Sequence, residues 1–406
     1  MISRQPMKIV LFTENQRFGG MDTFITNLIE AWPDKNDSFL LICNENHPGL
    51  KYLSDNLDIK IIKHNIPLSW SFLSILISVL PSILKRFLRQ IFKLLLLPYQ
   101  YFKIKTLLKS VSGDALISIN GAYPGGETCR IASIVWHRLG RNKSIHNIHN
   151  YAIQSRLIIR PIENIIDKKL SKSVNAIVSV SNNCANSLNQ RKNIDKSKIQ
   201  IIQNGIKVTD NNSPTYSLRK MLKIPEDHKI ITMIGSLEER KGHEFLFKSM
   251  RKVYDKYDNI SLIVIGTGTS EEIKKINYYS RHYLKDRSVH FTGELENATS
   301  YLKDSDLLVI PSQADESFGL TAIEAMLCNN AIVSTNVGGL PETIGENGGC
   351  GFYVDRDNSE DFSEKIIYLI ENDEKRRKMA ENGRLRALKY FSPSDMSRNY
   401  HSLLKV

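Results

Sequence analysis

An α/β fold built from two parallel-sheet units is what this sequence predicts. Three features carry that expectation: the length, the repeated alternation of strand, turn and helix, and the glycines that punctuate it at strand ends. At 406 residues the chain is long enough for two domains of ordinary size. Short aliphatic runs recur between stretches of helical periodicity, the pattern of βαβ units whose strands are covered on both faces. In the first half the runs 8–12, 115–119, 144–148, 176–180 and 199–202 read as strands; in the second, 229–234, 261–265, 289–292, 307–310 and 331–334 do. Helices are expected over 22–31, 151–173, 321–328, 361–371 and 373–390, with a last one after Pro393. The polar stretch 207–216, KVTDNNSPTY, reads as the linker. The expected division is therefore 1–206, 207–390 and a terminal segment 391–406.

The net charge of +12 has a local source. Residues 59–113 contain nine Lys or Arg and no Asp or Glu, and residues 65–84 contain no charged side chain. A membrane-spanning helix needs about twenty apolar residues, and five serines with Pro67 and Pro81 make this stretch a poor spanner. Residues 85–109, KRFLRQIFKLLLLPYQYFKIKTLLK, interleave basic and bulky apolar side chains, as helices lying on an anionic bilayer surface do. Two readings of this basic, apolar insertion at about 65–110 stay open. It is either a docking face for a membrane or a buried helical pair whose lysines snorkel outward. Leu and Ile dominate it rather than Gly and polar residues, which argues against nucleic acid as the partner. Five irregularly spaced cysteines offer neither a zinc pattern nor a disulfide framework. The first residues enter a strand without an apolar signal core, so a cytoplasmic location is expected, peripheral on the inner face of the plasma membrane.

The stretch 311–343, PSQADESFGLTAIEAMLCNNAIVSTNVGGLPET, concentrates the chemistry. A strand ends at Pro311, a helix starts near Thr321, and the loop between them holds Ser317, Phe318, Gly319 and Leu320. The first N–H groups of a helix have no intrahelical partner, and together with the helix dipole they suit an anion such as a diphosphate. Glu316 projects from the loop tip and Glu324 from the helix flank, so the two carboxylates serve different roles. Other candidates lie at strand ends: Gly19-Gly20, the loop Tyr123-Pro124-Gly125-Gly126, His149, and Gly235 with Lys241-Gly242. His146, further back on the same strand, competes with His149. Asp304 and Asp306 form a D-x-D that reads as capping and solvated.

Read as E-S-F-G-L-x3-E-A-M, a strand and then G-G-x2-E, residues 316–342 resemble the donor-sugar motif of family-4 retaining glycosyltransferases, the glycosyl transferases group 1 of GT-B fold. The weaker matches at 19–20, 149, 204–206 and 235–242 extend that resemblance over most of the chain. It implies two Rossmann-like domains facing a central cleft: an acceptor-side domain over 1–206, a nucleotide-sugar domain over 207–390, and a terminal helix packing back on the first. It also implies a metal-independent transfer, with no cofactor, from a nucleotide-diphosphate sugar. Glu316 then orients the donor sugar, Glu324 grips the ribose, and His149 holds the sugar from the other domain. Lys241 and the N–H groups of Phe318, Gly319 and Leu320 stabilise the departing diphosphate, with Gly19, Gly20 and Gly235 letting backbone approach the ligand. The chain departs from the family at Asn329 and Ala331, where glycine and proline are usual, and at Ser236, where arginine is usual and Arg240 stands as the substitute. The implied acceptor is a lipid-linked or cell-envelope polysaccharide precursor, lipopolysaccharide included. An epimerase of the same fold acting on nucleotide sugars, and a membrane-docked inactive scaffold, are the alternatives.

Overall fold

A computed structural model of the chain describes residues 5–69, 82–208, 217–285, 287–295, 298–314 and 316–405. It divides into two compact units, Met1–Gly205 with Pro393–Val406, and Ile206–Ser392. The first holds a seven-stranded parallel sheet of β1 (Lys8–Thr13), β2 (Ser38–Asn44), β3 (Lys60–His64), β4 (Ala115–Asn120), β5 (Lys143–Ile148), β6 (Ala176–Ser179) and β7 (Ile199–Ile201). Its strand order is β3-β2-β1-β4-β5-β6-β7. The second holds β8 (Lys229–Ile234), β9 (Ile260–Ile265), β10 (Val289–Gly293), β11 (Leu307–Ile310), β12 (Ala331–Thr335) and β13 (Phe352–Val354), in the order β10-β9-β8-β11-β12-β13. The strand order reverses between β1 and β4 in one sheet and between β8 and β11 in the other. Connections leave these pairs on opposite faces, opening a crevice at the carboxyl ends where such folds bind ligands.

Alternation along each strand loads both faces. On β1, Ile9 and Leu11 join one apolar cluster while Val10 and Phe12 join another, and all four are fully buried. The last helix, Pro393–Leu403, completes the first of these clusters with Met396 and Tyr400. Tyr400 accepts a hydrogen bond from Asn147 and packs edge-on against Phe24, and Ser397 donates to the Leu28 carbonyl at 3.0 Å. This terminal segment is thus an integral part of the first unit.

Two local expectations change. The helix expected over 151–173 begins only at Arg160, as Arg160–Ser173 with Pro161 in its first turn. Before it, residues 151–153 are extended because Tyr123 donates to Tyr151 O at 3.1 Å and accepts from Ile153 N at 2.8 Å. Asp306, expected to be solvated, accepts from Ile230 N and pairs with Lys229 and Arg376, while Asp304 does cap, through Leu218 N.

Residues 70–81, which hold most of the uncharged stretch, and residues 209–216 of the expected linker lie outside the described residues. From residue 82 the chain forms one helix, Ser82–Lys109, with Pro98 inside it. Ile104 and Leu108 on one flank are buried against Val10 and Phe12, whereas Leu95 and Phe102 are 68% and 66% exposed. One flank of the helix is thus buried in the fold and the other exposed. Among the described residues no helix is long and apolar enough to cross a membrane.

Beneath this helix lies a buried ionic network. Arg130 forms a bidentate pair with Glu163 at 2.9 and 3.0 Å, and Arg191 joins Glu163 to Asp167. Both guanidiniums stack on the Tyr123 ring, at 5.5 and 5.2 Å, while its hydroxyl donates to Asp167. Burial by itself would raise the Glu163 pKa, but Arg130 and Lys93 beside it outweigh that and hold the carboxyl well below its usual range. Its stabilising contribution is therefore complete above the ordinary carboxylate range and is lost only as strong acid protonates the folded state. Replacing Glu163 by Ala removes the carboxylate paired with Lys93 and leaves Arg130 and Arg191 to share Asp167, and should lower stability by about 3–5 kcal/mol, read as a fall in thermal and denaturant midpoints. A variant as stable as the parent would show that the network is not structural.

Candidate active site

In the second unit, the loops after the neighbouring strands β8 and β11 bring the site together. After β8, residues 239–241 form a turn of 3-10 helix closed by Gly242 at φ 76°, and the helix His243–Lys256 comes next. A Cβ at residue 242 would sit 1.9 Å from the Pro311 carbonyl oxygen, so only glycine lets these two loops touch. That contact places the Lys241 ammonium in an ion pair with Glu316. Ser312 donates to the same carboxylate oxygen at 3.0 Å, and Arg240 lies 3.7 Å from it while bridging to Glu238. Glu316 is buried to 8% exposure, and the space around the pair amounts to about 10 Å³, roughly one water. A ligand entering here must part the ammonium from the carboxylate.

Beside the pair, Gly319 at φ 94° caps the helix Leu320–Leu327. The first helical N–H groups to find acceptors are those of Ala322 and Ile323, both on the Gly319 carbonyl. The N–H groups ahead of them lie in the open first turn, where an anion is favoured. The loop is pinned from behind by the bond of Gly339 N to Glu316 O at 2.7 Å and by Thr343 donating to Phe318 O. Gly235 leaves room for the Lys241 stem, 3.7 Å from where a Cβ would lie. The carboxyl of Glu324, half-buried on the helix flank, makes no hydrogen bond or ion pair among the described residues, and burial pushes it up to about 7. A wider recess of about 600 Å³ opens on the far side of Gly242, over His243 and Glu272.

The first unit gathers its polar groups at the carboxyl ends of β1, β4 and β5. His149 lies just past β5, with its backbone N–H on Asn120 and Gly121 and its ring 4.5 Å from Phe24. Burial pushes it down to about 3, so the imidazole is neutral. The Asn204 amide lies 3.4 Å from Nδ1, and Nε2 has no hydrogen-bond partner among the described residues. His146 is settled by burial: it is fully enclosed, with Ser133 and Tyr123 as neighbours, and does not reach the strand tip. The Gly19-Gly20 turn begins a helix, Gly20–Glu30, but the Gly19 N–H already donates to Asp22, which is buried and held by His47 at 2.6 Å. The protein's own carboxylate thus occupies the anion position expected at that turn.

Two site groups escaped the sequence reading: Ser312, four residues before Glu316 in the same loop, and Glu14, which is placed by a contact more than a hundred residues away. Glu14 accepts from the Thr128 N–H and hydroxyl, and burial pushes it up to about 7. Ser236 has no cationic side chain to offer, and Arg240 is the second cation at the site.

Comparison with known proteins bears on the family and the fold. The family model described as Glycosyltransferase Family 4 matches residues 18–210, and the one described as Glycosyl transferases group 1 matches residues 216–386. Among curated relatives, the uncharacterized glycosyltransferase MJ1178 of Methanocaldococcus jannaschii is 27% identical over 51% of this chain and 53% of its own. The capsular polysaccharide biosynthesis glycosyltransferase CapM of Staphylococcus aureus is 28% identical over 48% and 51%. The chain spans about half the length of the curated relatives it matches. Two solved structures superpose throughout. A glycosyltransferase of Rickettsia africae has a TM-score of 0.77 at 19% identity, covering 99% of this chain and 100% of that one. Anabaena Alr3699/HepE in complex with UDP-glucose has a TM-score of 0.74 at 17% identity, covering 98% and 99%. At such identities the likeness carries the fold.

The glycine contact yields a sharp contrast. Gly242→Ala should destabilise the protein by about 2 kcal/mol or more, combining a left-handed backbone with a clash. Gly235→Ala, which meets only a flexible lysine stem, should stay within about 0.5 kcal/mol of the parent. Equal melting temperatures for the two variants would refute the close approach.

Proposed function

The chain belongs to the family-4 glycosyltransferases of group 1, with a GT-B fold of two Rossmann-like parallel-sheet units, and on that premise we propose that it transfers a sugar from a nucleotide-diphosphate donor to an acceptor with retention at the anomeric carbon. The observation that carries this reading is the Lys241–Glu316 pair lying beside the open first turn of the Leu320–Leu327 helix. A donor diphosphate takes over Lys241, assisted by Arg240 and by the N–H groups of Phe318, Gly319 and Leu320. This releases the Glu316 carboxylate to accept hydroxyls of the sugar. As the bond to the anomeric carbon breaks, the growing negative charge on the diphosphate falls where these donors are already aimed. The acceptor oxygen bonds to that carbon on the same face, and its proton passes to the leaving phosphate oxygen. This set of cations and backbone donors stabilises the leaving group without calling on a metal. Glu324 binds the ribose diol, and the neutral His149 ring hydrogen-bonds the transferred sugar through Nε2.

The acceptor we propose is a lipid-linked precursor of a cell-envelope polysaccharide. The basic, partly apolar face of the Ser82–Lys109 helix would hold the enzyme on the cytoplasmic leaflet. The capsular polysaccharide relative favours the same class of product.

Glu316→Gln should remove most transfer activity, assayed with a panel of nucleotide sugars and lipid-linked acceptors. Nucleoside diphosphate should still bind it as tightly as the parent or more so, because Lys241 loses its competitor. Undiminished turnover in this variant would end the assignment.

Glu324 makes donor binding dependent on pH. Ribose hydroxyls donate to the ionised carboxylate, whereas the free protein holds it protonated below about 7. Binding therefore releases a proton, and affinity should fall by up to about tenfold per pH unit below that value. Titration calorimetry at pH 6 and pH 8 reads this, and Glu324→Gln should flatten it. A parent profile already flat would remove Glu324 from the nucleotide site.

A further inference from the structure

Between the helices Ser82–Lys109 and Arg160–Ser173 of the first unit runs a furrow with two contrasting halves. One half is a pocket of about 220 Å³ reached by Arg89, Lys93, Arg156 and Arg191, with Pro124 and Gly125 of the loop after β4 at its edge. The other is a recess of about 250 Å³ lined by Leu97, Tyr101, Ile134, Ile162, Ile165 and Ile166. Arg89, Lys93, Leu97 and Tyr101 succeed one another at intervals of four, so both halves lie along one helix face, about 12 Å apart at 1.5 Å per residue.

The charges of the first half are not balanced. Arg191 and Lys93 share Glu163 with Arg130, and Asp167 serves Arg191 and Arg130. Glu127 stands next along, and its field also reaches Lys93. Arg89 and Arg156 are exposed on the rim and have no carboxylate partner among the described residues. Five cations thus face three carboxylates around a concave site. Guanidiniums paired across such a site present the forked donor geometry that suits phosphate oxygens. The second half is mostly apolar, with Arg138 and Lys169 also on its lining, and continues onto the surface as Leu157, Ile158, Ile162 and Ile165, exposed by 37% to 77%. Side chains of this kind in solvent mark a surface that contacts another apolar body.

We propose that this furrow is the acceptor site for an amphiphile: the cationic half takes a phosphate or diphosphate group, and the apolar half takes the hydrocarbon chain to which that group is attached. The polar head then lies beside the Tyr123–Gly125 loop, at the carboxyl end of the sheet, and the chain runs away from it toward the exposed isoleucines. This rests on the sugar-transfer reading above and adds to it the chemistry of the acceptor's anchor. A soluble phosphate compound would satisfy the arginines and leave the isoleucines unused. A neutral lipid would do the reverse.

Titrations of the full chain, carried out with saturating nucleoside diphosphate to fill the donor site, separate these cases. Farnesyl diphosphate should bind at least about tenfold more tightly than inorganic pyrophosphate, since several methylene-sized groups leave water. Arg89→Gln with Arg156→Gln should weaken both ligands by about tenfold or more. Ile162→Asn with Ile165→Asn, at exposed positions, should bring farnesyl diphosphate down to the level of pyrophosphate and leave pyrophosphate unaffected. Neutral phosphatidylcholine vesicles carrying a polyprenyl diphosphate should retain the protein better than vesicles of equal charge made with phosphatidylglycerol. The proposal falls if the arginine pair leaves pyrophosphate binding unchanged, if the farnesyl chain adds no affinity, or if the two kinds of vesicle retain the protein equally. Nucleoside diphosphate binding, measured on every variant, reports the donor reading separately. If the parent does not bind it, that reading fails while the furrow is still judged by farnesyl diphosphate alone.

Discussion

Backbone contact between Gly242 and the Pro311 carbonyl is the constraint on which the donor-side chemistry depends. The two loops belong to β8 and β11, strands adjacent in the sheet but more than seventy residues apart in the chain. A parallel sheet sends its connections to opposite faces at such a pair and leaves the loop tips side by side. Without a side chain at 242 they close to van der Waals distance, and the long reach of Lys241 then ends on Glu316 rather than in water. Ser312 holds that carboxylate, and the bond from Gly339 N to the Glu316 carbonyl holds the main chain that carries it. The unliganded site is thus a closed ion pair whose two members have separate uses once a diphosphate arrives.

The first unit handles charge differently. Its buried arginines are neutralised as a group, through Glu163, Asp167 and the face of Tyr123, in a region where an unpaired ion would be costly. Lys93 sits at the boundary: desolvation and the field of Arg130 lower its pKa while Glu163 pulls the other way. A network with more positive than negative members, with Arg89 and Arg156 exposed on the rim above it, stiffens the fold underneath and presents attraction for anions on top.

Polar groups left without partners mark the same ends of the sheets. The Nε2 of His149, the amide nitrogen of Asn120 and the hydroxyl of Thr13 are buried and unpaired among the described residues, and all lie at or just past the ends of β5, β4 and β1. Buried polar atoms ordinarily find partners within the fold. These three lie at one edge of the first unit's sheet, which also carries Glu14, whose carboxyl is raised by burial.

What the sequence determined by itself was whatever depends on local order. Apolar runs, glycine turns and capping patterns are read along the chain, so the strands at 8–12, 229–234 and 307–310, the helix 373–390 and the loop that offers backbone N–H groups at 318–320 were all legible. So were Lys241, Glu316, Glu324 and His149 as candidates, through spacing and resemblance. The tertiary structure alone decided which groups meet. Sheet order brought Lys241 onto Glu316, and His47 onto Asp22. Burial separated His149 from His146, and pairing with Tyr123 kept 151–153 extended where periodicity favoured helix. The basic helix was ambiguous for the same reason: its composition reports two faces at once, and only packing against Val10 and Phe12 shows which residues are inside. Contacts between distant segments carry no periodic signature, because they arise from the order in which strands assemble rather than from the residues beside them in the chain.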